Sequence, residues 1–288
     1  MKDYLDLTKP SVTWLILMST GMGYFFGLHG HWPLTLVSLI VLLHTLVGTG
    51  LLASGTATLN EWYEREADAK MKRTRQRPIP SGRISPRRAF LFGVALSVLG
   101  FAELAWGVNG LSALIGFATL ATYLFLYTPL KQHSPHCTTV GAFPGAMPPL
   151  IGYAAASGTL TGEAWILFAI LFLWQFPHFH SIAWMYRDDY ARAGIRMLPV
   201  VEPDGQSTAR QIVICSVALI PVSLVPAWLS MAGKVYFAGA LALGVLFLYA
   251  GIRVAIDPTA LRARRVLLAS VIYLPLLYGL MLIDRPQL

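Results

Sequence analysis

Charged residues are scarce in this 288-residue sequence, at 12%, about half of the ~25% that a soluble globular domain carries. That shortage excludes an ordinary water-facing surface and leaves lipid as the solvent. Cysteine is nearly absent too. Cys137 and Cys215 lie far apart without metal-ligand spacing, so neither a disulfide framework nor a zinc site is expected. No cleavable leader is legible. The first apolar stretch follows MKDYLDLTK and runs to Gly27 without a small-residue cleavage pattern, so it is expected to be a retained helix. Basic residues outnumber acidic ones by 22 to 14. Such an excess can signal nucleic acid, but here the bases sit in loops between apolar runs, where they set membrane orientation, and no nucleic-acid partner is expected.

Apolar residues are abundant: hydrophobic types make up 56% of the chain, with a mean hydropathy of +0.59. Stretches able to cross about 30 Å of hydrocarbon are predicted at 12–28, 33–58, 89–108, 110–127, 139–158, 163–182, 211–230, 235–251 and 266–283. The predicted fold is therefore all-α, a polytopic bundle of nine transmembrane helices in membrane lipid, forming one embedded domain over 1–288. The connections alternate in character. Those at 29–32, 109, 159–162 and 231–234 are short and nearly uncharged, whereas 59–88, 128–138, 183–210 and 252–265 are long or charged. With the N-terminus, the second set holds 20 of the 22 Lys and Arg residues, leaving Lys234 and Arg285 on the other face. This asymmetry predicts a cytoplasmic N-terminus, a C-terminus on the opposite side and a location in a bacterial-type cell membrane.

Glycines inside the spans let helices approach closely in lipid. Pro144, Pro148 and Pro149 must interrupt the fifth span, so the carbonyls they free need protein or water partners, and a polar cavity beside that helix is expected.

Three charged clusters carry the chemistry. Asn60, Glu64 and Asp68 are spaced by four, which stacks them on one helix face, with Glu61 and Glu66 off that line. Such a row can hold Mg²⁺ if phosphate oxygens and water complete the shell. Lys70, Lys72, Arg73, Arg75 and Arg77 follow at once. Acids beside bases suit a metal-bridged diphosphate, although a positive-inside loop also explains the bases. Lys131, after Tyr127 and Pro129, stands alone on its loop and suggests an anion contact. The third cluster holds His178, His180, Arg187, Asp188, Asp189 and Arg192. Its aspartates could supply a second metal site. His178 could ligate a metal, accept a proton or hydrogen-bond, while His180 is readily explained by packing. Glu103 is an intramembrane acid near the far interface with no evident task.

Diphosphate handling at the mouth of a lipid-embedded cavity suits ionisation of a polyprenyl diphosphate, whose tail stays in hydrocarbon while an electron-rich carbon attacks the allylic cation. The chain resembles the UbiA superfamily of intramembrane prenyltransferases, and within it the branch that farnesylates haem. LTKP at 7–10, the acidic-to-basic run at 60–78, YTPLK at 127–131, GAFPGAMPPLIGY at 141–153, WQFPHF at 174–179 and DYARAGIRMLPV at 189–200 carry the likeness. The resemblance implies that Asn60, Glu64, Asp68 and Asp189 hold Mg²⁺. It implies that Lys72, Arg73, Arg77, Tyr127 and Lys131 contact the diphosphate and that His178 handles haem. The implied reaction joins farnesyl diphosphate to a vinyl group of haem B, with hydroxyl addition, giving haem O and diphosphate. Assembly with a haem A synthase or a terminal oxidase is left open. In three places the sequence departs from the family pattern. Glu64 and Glu66 stand where Asp is usual, Ala193 breaks the second Asp-x3-Asp after Asp189, and HSPHCTT at 133–139 is atypical. An aromatic or quinone precursor is the alternative acceptor, and a transporter of a lipid-like anion is the alternative of another class.

Overall fold

The protein, described here from a computed structural model, is built of helices joined by turns and loops, with no strand among the residues the structure describes, 1–28 and 35–285. The predicted loop at 29–32 and the start of the second predicted span at 33–34 lie outside them. At some helix starts a side chain satisfies an unpaired N–H group. A short α1 (Lys2–Leu7) precedes α2 (Pro10–Gly27), α3 (Leu36–Lys70), α4 (Pro86–Gly107) and α5 (Gly110–Ala121). Thr35, Ser85 and Asn109 cap the last three, each accepting from the N–H three residues on. A π-helical turn at Thr122–Tyr127 carries α5 into the one-turn α6 (Thr128–Leu130). After it come α7 (Cys137–Ala146), α8 (Pro148–Ser157), α9 (Gly162–Met185), α10 (Arg187–Arg192) and α11 (Leu198–Val201). The chain ends with α12 (Gln206–Trp228), α13 (Lys234–Ile256) and α14 (Ala260–Ile283).

Among the described residues, seven helical segments are long and apolar enough to cross a membrane: α3, α4, the continuous 110–130 unit, α9, α12, α13 and α14. That is two fewer than the nine predicted. The first predicted span is α2, whose inner end packs Ser19, Thr20, Gly23 and Tyr24 into the protein, which dilutes its apolar character. The fifth is divided at Met147, where Pro148 opens a new helix, into two helices of ten residues each. The carbonyl of Pro144 accepts from Met147 N–H instead. Gln175 Nε2 reaches Ala142 O from α9, so the interrupted helix finds protein partners, as expected.

Helix α9 is the central post. It packs against α12, α14, α7 and α8, and 56% of its apolar window is buried, against 22–39% for the other six. Around it, α2 lies on α8 and α3 on α4, while α12, α13 and α14 form the far side. Arg285, after α14, sits over Phe25 and Phe26 at the end of α2, so these two helices finish on the same side of the bundle. At 35 residues, α3 is about 52 Å long at 1.5 Å per residue. It exceeds a ~30 Å hydrocarbon core, and its last turns must stand clear of the lipid.

The α2–α8 contact depends on glycine. A Cβ at Gly152 would lie 1.8 Å from Thr20 O, and one at Gly23 would lie 1.9 Å from Pro149 O. Neither neighbour is a side chain that could turn away. Gly152→Ala is therefore expected to destabilise the fold by about 1–3 kcal/mol or more, read as a lower unfolding midpoint in detergent. A midpoint equal to the parent's would contradict this packing.

Candidate active site

Asn60, Glu61, Glu64 and Asp68 sit on the last turns of α3, and all four are buried. Burying that many acids without partners would cost several kcal/mol each, so the fold must bring bases to them. Lys9 comes from the junction of α1 and α2, where its backbone is left-handed at φ 47°, a conformation costing about 1–3 kcal/mol outside glycine. Its Nζ donates to Asn60 Oδ1 at 3.3 Å and lies 3.6 Å from Glu61 Oε1. Arg77, from the segment after α3, donates to Asp68 Oδ2 at 2.7 Å and lies 3.5 Å from Glu61 Oε1. Lys131, just past α6, donates to Glu64 Oε1 at 2.7 Å and stacks on the Tyr127 ring, 4.4 Å from its centroid. Asn60 Nδ2 donates to Thr128 Oγ1 at 3.2 Å. Three carboxylates and three bases thus share one buried cluster.

The bases respond differently. Burial, reinforced by the neighbouring Arg77 charge, pulls the Lys9 ammonium down to about 8. Burial would also lower Arg77 and Lys131, but Asp68 and Glu61 outweigh it for the guanidinium, and Glu64 outweighs it for the ammonium. Both stay above their ordinary values.

Two acceptors in the cluster remain unmet. Asp68 Oδ1 and Glu61 Oε2 are buried without a hydrogen-bond partner among the described residues. Unsatisfied buried carboxylate oxygens beside an Asn amide are what a small hard cation would complete, so the residues fit Mg²⁺. They do not form a finished cage. Among the described residues no group of three or more Asp, Glu, His or Cys could hold a metal alone, so phosphate oxygens and water would have to supply the rest.

Asp189 joins from the other direction. It is buried on α10, pairs with Arg192, and its Oδ2 accepts from Arg73 N–H at 3.2 Å. Asp68 and Asp189 are thus linked through the 71–77 segment, not side chain to side chain. The four expected metal ligands are therefore not one preassembled shell. The Arg73 guanidinium covers the Tyr186 ring at 5.1 Å, and Lys72 is exposed.

His178 lies elsewhere. Its ring stacks on Trp174 at 4.7 Å, and Nδ1 is 2.8 Å from Ser270 Oγ on α14. Ser270 gives its own proton to Leu267 O, so Oγ must accept, and the network assigns the His178 proton to Nδ1 and the lone pair to Nε2. His180 bonds Gln211 of α12, a packing role. Glu103 meets His44 of α3 at 2.6 Å, a local pair between neighbouring helices.

Behind the cluster is an inner hollow of about 120 Å³ between α2, α3, α5 and the α7–α8 break, with Lys9 and Tyr123 at its lining. Thr13, Thr56 and Thr119 line it too, but their hydroxyls bond backbone carbonyls. A hollow does lie beside the broken helix, but it is largely apolar and not the polar cavity expected, because the helix's own carbonyls find protein donors.

The family model for the UbiA prenyltransferase family matches residues 14–274. The chain belongs to the UbiA prenyltransferase family. Among UbiA relatives, the protoheme IX farnesyltransferase of Solibacter usitatus (strain Ellin6076) is 67% identical, with all of both chains covered. That of Koribacter versatilis (strain Ellin345) is 50% identical over 99% of this chain and 94% of its own. Solved structures superpose as well. A digeranylgeranylglyceryl phosphate synthase aligns at TM-score 0.81, 18% identity and coverage of 100% and 99%. An Archaeoglobus fulgidus UbiA homologue bound to GPP and Mg²⁺ aligns at 0.63 with 16% identity, covering 97% and 99%.

Sequence reasoning missed Lys9 and Glu61. The available signal was that Lys9 is the last Lys or Arg before Arg65, placed against Pro10 at the start of a span. Glu61 lies off the row of Asn60, Glu64 and Asp68, yet it bridges Lys9 and Arg77.

Removing Lys131 alone strands the Glu64 carboxylate. Lys131→Met is expected to cost about 3–5 kcal/mol of stability, and adding Glu64→Gln should recover most of it, both read from unfolding midpoints. If Lys131→Met were as stable as the parent, the pair would not be holding the cluster.

Proposed function

We propose that this chain is a Mg²⁺-dependent protoheme IX farnesyltransferase. It transfers the farnesyl group of farnesyl diphosphate to a vinyl group of haem B, adding a hydroxyl and giving haem O and diphosphate. The observation that carries the donor half is the buried acid-base cluster standing over an apolar hollow. The acceptor half rests on full-length likeness to protoheme IX farnesyltransferases.

Asn60, Glu64 and Asp68 would hold Mg²⁺, with the unpartnered Oδ1 of Asp68 as its first contact, and Asp189 would serve a second metal from beyond the 71–77 segment. When bound, the metal neutralises charge building on the leaving diphosphate. Arg77, Lys131 and Lys9 turn from carboxylates to phosphate oxygens as the anion enters, so total charge in the site stays balanced. Lys72 and Arg73 approach from the exposed rim, and Tyr127 keeps Lys131 in place by stacking. The C–O bond of the donor breaks with both electrons leaving on diphosphate. The allylic cation is then attacked by the haem vinyl π electrons, forming a C–C bond, and water supplies the hydroxyl and releases a proton. The apolar hollow delays water until that bond has formed. His178, with its lone pair on Nε2, contacts the haem.

In the membrane we infer nine crossings in one domain, with α2 and the stacked α7–α8 pair completing the seven long apolar helices. Two stacked helices of ten residues supply about 30 Å at 1.5 Å per residue. The Lys and Arg distribution supports a cytoplasmic side for the cluster and the N-terminus, with the C-terminus opposite. A haem-supplying or haem-accepting membrane partner, a haem A synthase or terminal oxidase, would meet the protein within the bilayer.

Asp68→Ala is expected to lower Mg²⁺-dependent conversion of haem B with farnesyl diphosphate by roughly 10²–10³-fold, followed by mass spectrometry of the pigment. Conversion near the parent rate would remove the metal role of Asp68, and a product unchanged from haem B in the parent would remove the reaction.

A further inference from the structure

A prenyl diphosphate crosses from polar to apolar surroundings at a single bond. Its diphosphate belongs with the buried acids and bases and its first carbon with the inner hollow, so the C–O bond that breaks lies where the two meet. Among the described residues that line the hollow, Lys9 is the one charged side chain and Tyr123 the one aromatic. Lys9 is engaged with Asn60 and Glu61, which sets that end of the hollow against the cluster.

Tyr123 stands at the same end. It belongs to the π-helical turn at Thr122–Tyr127, and its carbonyl accepts from Thr128 N–H and, at 2.9 Å, from Thr128 Oγ1. Thr128 Oγ1 accepts in turn from Asn60 Nδ2 at 3.2 Å. The Tyr123 ring meets the Tyr127 ring at 5.0 Å and 67°, and Tyr127 carries Lys131. Backbone and ring are thus each tied to a member of the cluster, the one to Asn60 and the other to Lys131. The hydroxyl is left over. Thr13, Thr56 and Thr119 give their protons to backbone carbonyls. Thr49 Oγ1 is buried without a partner, but it lies about 16 Å along α3 from Asn60 at 1.5 Å per residue, well below the boundary. The Tyr123 hydroxyl makes no hydrogen bond among the described residues, although a phenol in an apolar setting ordinarily finds one. It is the free donor where the hollow meets the cluster.

We propose that Tyr123 is a catalytic residue whose hydroxyl donates a hydrogen bond to the oxygen joining the first prenyl carbon to the diphosphate. This rests on the prenyl-diphosphate reading above. As the C–O bond breaks, both its electrons stay on that oxygen, which becomes a terminal oxygen of the diphosphate, and the phenol keeps its proton throughout. A hydrogen bond to a charged oxygen is roughly twice as strong as one to a neutral oxygen. The contact therefore strengthens as charge gathers on the departing oxygen, and it favours the transition state over the bound substrate. Its donor is held in place before the reaction by the Thr128 and Tyr127 contacts, so little reorganisation opposes it.

Tyr123→Phe tests this, because it keeps the ring, the contact with Tyr127 and the carbonyl bond to Thr128, and removes the hydroxyl alone. Diphosphate release from farnesyl diphosphate is timed in a single turnover with the full-length protein in detergent, Mg²⁺ and haem B. Binding of farnesyl diphosphate is measured by calorimetry with Mg²⁺ and without haem. Release should slow by about 10²-fold, with the affinity and the unfolding midpoint as in the parent. Release at the parent rate overturns the proposal. So does a slowing matched by weaker binding or a lower midpoint, since the hydroxyl would then be holding the substrate or the fold and not the departing oxygen. A parent protein that binds farnesyl diphosphate no better than inorganic diphosphate, and cleaves none, overturns the prenyl-diphosphate reading itself.

Discussion

Everything in this molecule turns on charges that lie inside a helix bundle and cannot be left unpaired. Asp68 with Arg77 and Glu64 with Lys131 are each held at 2.7 Å, and Glu61 is shared between Lys9 and Arg77. The partners come from segments far apart in sequence, so closing these pairs ties the start of α2, the end of α3 and the end of α6 into one site. A balanced set of three acids and three bases is stable without ligand and still able to exchange partners for an anion and a cation together. Neither a bare diphosphate nor a bare metal would leave it balanced, which couples the binding of the two.

The long α3 connects this cluster to the membrane. Its apolar length lies among the other helices, and its overhang carries the acids clear of the hydrocarbon. Beneath them the break between α7 and α8 and the glycine contacts of α2 with α8 open a small apolar space. Polar and apolar surroundings thus lie within one turn or two of the same helix, which is what the proposed function requires of a prenyl diphosphate site.

Much of this could be read from the sequence, for physical reasons. The period-four row of Asn60, Glu64 and Asp68 is a local property of a helix, and so were the spans with long apolar runs. Partners brought by the tertiary fold were not legible: Glu61 lies off the row, and Lys9 finds it only because the chain turns through a left-handed residue. The count of crossings by length and apolarity also differs, since α2 packs polar residues inward and Pro148 divides α7 from α8. The placement of His178 beside Ser270, away from the acidic cluster, depends on the packing of α9 against α14, which no local pattern encodes.

The most direct test of partner exchange is a structure of the protein with Mn²⁺ in place of Mg²⁺ and a non-hydrolysable farnesyl thiodiphosphate, with the metal located by anomalous scattering. The account predicts a metal peak in contact with Asp68 Oδ1 and the Arg77 and Lys131 side chains turned onto phosphate oxygens. Intact Asp68–Arg77 and Glu64–Lys131 pairs, with the diphosphate bound elsewhere, would contradict it.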